Sequence, residues 1–225
     1  MMAKLPSIWT RPERAARGPA PEHSRAELAA AAVALADGSG LAAVTMRSAA
    51  TAIGTAPASL YRYVATRDEL VELMADQVYG EYRYARLEPG RPGLLRLAQQ
   101  GRAIYHRHPW LLDVPATGSL PGPNAVAFIE HTLAALAGTG LSGPEQLETV
   151  GLFSGAVRLL AQTEISQQRA GRDIAQWQTS LGGYLGQLAA DGQYPHLAAA
   201  LSGSPGDPEP LFDRAMSRIL AGLLP

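Results

Sequence analysis

Cysteine does not occur in the 225 residues, so disulfides, thiolate metal sites and cysteine nucleophiles are all excluded. Aromatic residues are sparse at 6%, and no apolar run reaches the roughly 18 residues that a membrane-spanning helix needs. Catalytic signatures are missing as well. There is no G-x-S-x-G, no H-E-x-x-H and no P-loop, and Gly182-Gly183 falls inside a helical pattern instead of after a strand. No convincing period-2 segment occurs either. Ala, Gly and Leu dominate, which points to an all-α, soluble, cytoplasmic protein that is not an enzyme and has no cofactor. A chain of 225 residues exceeds a lone nucleic-acid-binding head and leaves room for a second helical domain with its own core.

What is present concentrates in residues 45–70. Thr45 is a helix-capping residue, Met46, Ala49, Ala50 and Ile53 recur at i, i+3, i+4 and i+7, and Gly54 ends the pattern. Thr55 can cap a second helix, Pro57 suits its first turn, and Leu60 and Val64 point inward. Two short helices across a glycine turn form the motif whose second helix enters the major groove of double-stranded DNA. Its outward face carries Ala56, Ala58, Ser59, Arg62 and Tyr63. Arg62 offers a planar fork for guanine, Ser59 can donate or accept, and Pro57 and Ala58 suit a thymine methyl. Tyr61 and Tyr63 read as phosphate contacts, Tyr61 alternatively as a core aromatic, and Arg47 can reach a base or the backbone.

The flanks extend the pattern. Ser24 and Glu27 form a capping box for a helix over 24–37 that carries Leu28, Ala31, Ala32 and Leu35. Thr66 and Glu69 form another, opening a helix from 67 to about 84 with Leu70, Met74, Gln77 and Val78. Residues 24–84 thereby resemble the DNA-binding domain of the TetR family of transcriptional regulators. The matching residues are Gly40-Leu41, Thr45, Arg47, Ala50, Gly54, Leu60, Tyr61, Tyr63, Val64 and Arg67. The resemblance implies base reading by Arg47, Ser59 and Arg62, and phosphate clamping by Tyr61, Tyr63 and Arg67. Thr45, Thr55, Ala56, Pro57 and Ala58 complete the expected DNA-facing set. Ala56 and Ala58 offer no hydrogen bonds where relatives often carry polar side chains.

Charge is divided along the chain. Residues 1–67 hold eight Lys or Arg against four acids, a balance of +4, and the remainder holds eleven against sixteen, a balance of −5. A basic head and an acidic body suit a protein that approaches phosphate at one end. Residues 1–22 combine Pro6, Pro12, Pro19 and Pro21 with Lys4, Arg11, Arg14 and Arg17, which reads as a flexible basic arm. Such an arm is either a solvated tail or an element that lies in a minor groove.

Beyond residue 85, punctuation places helices at 92–107, 124–137, 144–168 and 174–190, with a short piece at 110–113 and a last helix opened by Asp207-Pro208. The last helix carries Leu211, Phe212, Ala215, Ile219 and Leu223 on one face. The long helix around Leu147 to Ile165 is apolar over a wide arc, and Gly151, Ser154 and Gly155 permit close approach. It and the last helix are expected to pair with a second copy, and the resemblance to the TetR family implies that they do so in a four-helix bundle. A homodimer of this kind sets two reading helices about 34 to 36 Å apart on a palindromic operator.

The body also resembles the tetracycline-repressor-like branch, through His108-Pro-Trp-Leu-Leu112, Gly122-Pro-Asn124, Phe128-Ile-Glu-His-Thr-Leu133 and Gly140-Leu-Ser142. That resemblance implies an effector-binding and dimerisation domain over 85–225, joined by the 67–84 helix to a DNA-binding domain at 23–66. It also implies a repressor released by a small-molecule effector, with Tyr105, Trp110, Phe128, His131, Gln162 and Trp177 as candidate effector contacts. The tetracycline repressor uses magnesium and a histidine on the short central helix; Leu111-Leu-Asp-Val114 has none, so neither tetracycline nor a metal carries over. His106 and His108 diverge at i, i+2 and make a poor metal site. The alternative reading is a DNA-binding regulator or architectural factor with no small-molecule effector.

Overall fold

A computed structural model describes residues 7–12, 22–115, 120–169, 174–190, 193–202 and 211–225. All regular structure among them is helical: α1 (Arg25–Ser39), α2 (Met46–Ala52), α3 (Pro57–Leu60), α4 (Arg67–Tyr79), α5 (Arg91–Arg107), α6 (Pro123–Leu136), α7 (Gly143–Arg169), α8 (Ile174–Ala190), α9 (Pro195–Leu201) and α10 (Leu211–Leu223). Short 3-10 helices cover Leu41–Ala43 and Pro109–Asp113. α9 and the Leu41–Ala43 turn have no counterpart in the periodicity, because neither is long enough to repeat an apolar stripe.

The N-terminal helices start where capping chemistry dictates. Ser24 Oγ accepts from the Glu27 amide, and the Glu27 carboxylate accepts in return from the Ser24 amide at 2.7 Å, so two orphan donors are satisfied reciprocally. Thr45 and Ser48 close the same kind of box on α2. At Thr66 only half of the box forms: the hydroxyl takes the Glu69 amide, while the Glu69 carboxylate reaches the Ala65 amide at 2.6 Å. Helix α2 stops in a Schellman turn. Gly54 sits at φ 73°, the Thr55 amide donates to Ala50 O at 2.9 Å, and the Gly54 amide donates to Thr51 O at 3.1 Å.

Helices α1 to α4 share one core. Leu28, Ala32, Ala49, Ala50, Leu60, Val64, Leu70 and Met74 are fully buried within it. Each buried leucine contributes about 1.5 to 3 kcal/mol through removal of apolar surface from water. Helix α1 lies against α4 and α2, and α2 against α3. In the body, α5 packs on α7 and α6, α10 closes against α5 and α7, and α4 crosses to α6. Helix α10 buries Phe212, Met216 and Leu220 at i, i+4, i+8 and leaves Leu211 exposed, so its inner face is rotated from the expected one.

Residues 7–12 depart from the expected flexible arm. Ile8 is buried, the Trp9 indole donates to Leu120 O at 3.1 Å, and Arg11 forms a two-pronged pair with the Glu69 carboxylate. Arg25 on α1 donates to the carbonyls of Ile8 and Arg11 at 2.9 and 3.0 Å, fixing the segment from beneath. An apolar Ile8-Trp9 pair next to an arginine with a waiting carboxylate is enough to dock a proline-bearing segment. Lys4, Arg14 and Arg17 lie outside the described residues.

Candidate nucleic-acid interface and ligand cavity

The glycine turn and the two helices around it present one outward surface. Thr45, Arg47, Ala56, Pro57, Ala58, Tyr61 and Arg62 are exposed, and Thr55 and Ser59 are half-buried. The second helix is very short. Its α-helical part is four residues, and the chain continues in tight turns, with Arg62 N–H to Ser59 O at 3.2 Å and Tyr63 N–H to Leu60 O at 2.9 Å. Its N-cap is Ala56, without a side-chain cap, so Thr55 does not fill the expected capping role.

Of the two tyrosines expected at phosphate, the structure leaves Tyr61 outside and places Tyr63 in the core. Tyr61, open to a core reading, is 57% exposed, whereas Tyr63 is 3% exposed and cannot reach phosphate without leaving the core. The Tyr63 hydroxyl instead accepts from the His23 amide at 3.2 Å.

Arg67 is also turned inward. Its Nε donates to Val44 O at 2.7 Å and its Nη2 to Leu41 O at 2.8 Å. These carbonyls belong to the turn between α1 and α2, where Leu41 O also accepts the Val44 amide at 3.2 Å. The expected phosphate clamp is therefore corrected: this guanidinium fork is spent on the reader's own backbone. Arg47 and Arg62 remain exposed.

The body contains a cavity of about 440 Å³. One wall is α4, with Glu72, Ala75, Asp76 and Tyr79, and another is α7, with Gly151, Ser154, Gly155 and Arg158. Tyr105, Leu111, Val114 and the Leu120–Pro121–Gly122 segment complete the lining. Asp76 is buried and saturated: Oδ1 accepts from the Ala125 amide at 2.9 Å, and Oδ2 from Asn124 Nδ2 and the Asn124 amide at 3.1 and 3.3 Å. It thus caps α6. Gly122 has to be glycine here, since a Cβ would stand 2.4 Å from the Asp76 carboxylate and 2.7 Å from the Trp9 ring.

Of the candidate effector contacts, Tyr105 lines the cavity. Trp110 is buried at the junction with α1, and its indole donates to Asp37 Oδ1 at 2.7 Å. Phe128 packs edge-on against Tyr79, and His131 stacks on Tyr84 with centroids 3.9 Å apart. Gln162 is exposed, and the Trp177 side chain lies outside the described residues. Size and polarity in the sequence do not report the direction of a side chain. The informative signal was spacing: Glu72, Asp76 and Tyr79 fall at i, i+4, i+7, as do Gly151, Gly155 and Arg158 with Ser154 between them.

Burial raises the phenol pKa of Tyr79, with the Arg158 charge pulling the other way and Asp76 adding to the rise. Burial likewise pushes Tyr105 up to about 12, so both hydroxyls stay protonated donors at neutral pH.

Comparison with known proteins agrees with this architecture. The Tetracyclin repressor-like, C-terminal domain family matches residues 91–225. The HTH-type transcriptional repressor DrrR1 of Streptomyces coeruleorubidus is 34% identical over 97% of this chain and 84% of its own length. An HTH-type transcriptional regulator of Saccharopolyspora erythraea is 30% identical over 96% of this chain and 91% of its own length. Among solved structures, the TetR family protein ActR of Streptomyces coelicolor in complex with actinorhodin superposes with a TM-score of 0.75 at 28% identity, over 91% of this chain and 96% of that one. ActR in complex with (S)-DNPA gives a TM-score of 0.71 at 29% identity, over 91% and 98% of the two chains. The chain belongs to the TetR family of transcriptional regulators, which bind DNA and are not enzymes. No helix among the described residues is long and apolar enough to cross a membrane.

Proposed function

We propose that this protein is a repressor that occupies a palindromic operator as a homodimer in the cytoplasm and leaves it when a small molecule fills the body cavity. The observation that carries the reading is the shared wall. Helix α4 supplies Glu72, Ala75, Asp76 and Tyr79 to the cavity and, one turn earlier, the Glu69 carboxylate that anchors residues 7–12. A ligand that favours one placement of α4 acts directly on the support of the DNA-reading surface, provided its affinity differs between the two placements. The relatives support this: DrrR1 is named a repressor, and ActR is seen with a bound small molecule.

The proposed organisation is a basic arm at 1–22, part of it docked, a reader at 23–66, a connecting helix at 67–84 and a sensing and dimerisation body at 85–225. Dimerisation through α7 and α10 is supported by what α7 leaves uncovered. Leu147, Leu152 and Leu159 are 58%, 59% and 64% exposed, and Leu211 on the adjoining α10 is 59% exposed. Leu152 and Leu159, two turns apart on one face of α7, are the kind of exposed apolar pair that an interface covers.

The test starts from the operator. Footprinting the purified protein across its own genome supplies the site, and fluorescence anisotropy on that duplex then reports release. A compound at 100 times its dissociation constant adds about 2.7 kcal/mol of stability, and it must also lower operator affinity. A library that yields no melting shift and no release refutes the sensor reading and leaves a regulator without an effector.

A further inference from the structure

We propose that the cavity recognises a flat aromatic molecule through an anionic oxygen, a carboxylate or an ionised phenol, bound by Arg158 with the hydroxyls of Tyr79 and Tyr105 as flanking donors. The inference rests on the reading of this cavity as the effector site and adds the chemistry of what enters it.

Arg158 is held in place and left incomplete. Its Nη2 donates to Leu112 O at 2.7 Å and to Val114 O at 2.9 Å, which fixes the guanidinium plane at the cavity wall. Among the described residues it makes no ion pair, so Nε and Nη1 keep their donors and the positive charge has no carboxylate of its own. A half-buried guanidinium without a counter-ion is costly unless an anion completes it.

The Asp76 carboxylate of the same cavity does not supply that anion. Both Asp76 oxygens are occupied by the first amides of α6 and by Asn124 Nδ2. Tyr79 and Tyr105 lie close enough to Arg158 for its charge to oppose the burial-driven rise of both phenols. Their hydroxyls have no hydrogen-bond partner among the described residues, so two neutral donors and one cation face the same space. The rest of the lining is small or apolar: Ala75, Ala125, Gly122, Gly151 and Gly155 leave room, and Leu111 and Val114 are apolar. A volume of about 440 Å³ with aromatic and small-residue walls suits a fused-ring molecule.

Two probes of equal shape separate charge from size. Anthraquinone-2-carboxylate and anthraquinone-2-carboxamide are titrated by calorimetry into the full-length protein at fixed salt. The carboxylate is expected to bind at least about tenfold more tightly, as a charge-assisted pair in a partly dry site should. Arg158→Gln brings the ratio to about one, Arg158→Lys retains a preference for the anion, and Tyr105→Phe weakens the carboxylate several-fold while keeping the shape of the site. Arg158→Gln also removes the bonds to Leu112 and Val114, so its folding is checked by circular dichroism, and Arg158→Lys and Tyr105→Phe carry the test if it unfolds. Equal binding of the two probes, a ratio untouched by these substitutions, or no binding of either overturns the anion proposal. The effector reading fails separately, when no compound of any charge shifts melting or releases the operator.

Discussion

Arg67→Ala separates a structural arginine from a DNA-binding one. In the native fold the Arg67 fork donates at 2.7 and 2.8 Å to two carbonyls of the turn between α1 and α2, from a half-buried position. A hydrogen bond from a charged group contributes about 1.5 to 3 kcal/mol, and water can partly replace each one at a half-exposed site. The expected loss is therefore about 2 to 3 kcal/mol, a substantial part of the 5 to 15 kcal/mol typical of whole domains. For a chain of this size that corresponds to a melting temperature lower by roughly 4 to 12 °C. Arg67→Lys should recover little of it, because an ammonium cannot hold two carbonyls in one plane. The assay is thermal unfolding by circular dichroism, run beside operator titrations at several salt concentrations. An Arg67→Ala protein that melts at the wild-type temperature, yet loses about one unit of salt slope, would falsify the inward assignment and restore the phosphate clamp.

Four further outcomes are expected. Arg62→Ala should cost about 1 to 3 kcal/mol of operator binding and relax preference at one base position, while leaving melting unchanged; a sequence-blind loss counts against base reading. For Glu69, burial raises the carboxyl pKa, but the Arg11 guanidinium and the Ala65 amide outweigh it and hold it below the ordinary glutamate range. A depressed folded pKa contributes stability above the unfolded value and loses it as pH falls through the folded one. Acid titration of stability should thus be steeper for wild type than for Arg11→Ala, which at neutral pH is expected to lose about 1 kcal/mol. Leu152→Glu with Leu159→Glu should yield a folded monomer by sedimentation with operator affinity greatly reduced; a persistent dimer removes α7 as the interface. Leu60→Ala should cost about 2 to 5 kcal/mol, because a fully buried leucine between α2, α3 and the following turn is lost.

The DNA-reading half was legible because its signals are local. Capping pairs three residues apart, a glycine at φ 73° and a proline in a first turn fix helix ends whatever surrounds them. Orientation at the end of the reader was not legible, since Tyr61 and Tyr63 differ only in which one the tightened turn directs inward. Arg67 has the composition of a phosphate contact, and only the position of two turn carbonyls, 23 and 26 residues earlier, reveals its use. The cavity was the least legible feature. Trp110 and Phe128 are large and central, but large side chains are what cores consume, and both are buried. A cavity is defined by what is small, here Gly122, Gly151 and Gly155, and by helix positions that face one another only after folding.

Two routes lead from the body to the reader, and they differ in stiffness. Helix α4 runs without a break from Tyr79 on the cavity wall to Arg67 under the reader, about 1.5 Å per residue with no glycine or proline to absorb a displacement. The second route is polar. Asp37 Oδ1 at the end of α1 meets His108 Nδ1 and Trp110 Nε1, both at 2.7 Å, and His108 Nε2 meets Glu81 Oε1 at 2.9 Å. Glu81 is paired in turn with Arg107 on α5. A buried imidazole between two carboxylates on separate elements is satisfied only in a narrow range of separations. The helix can therefore carry a movement that starts at the cavity, while the histidine bridge sets how far α1 and the body separate before hydrogen bonds are lost. In the proposed release, α4 is the rigid lever and the histidine bridge is the short-range contact that limits its travel.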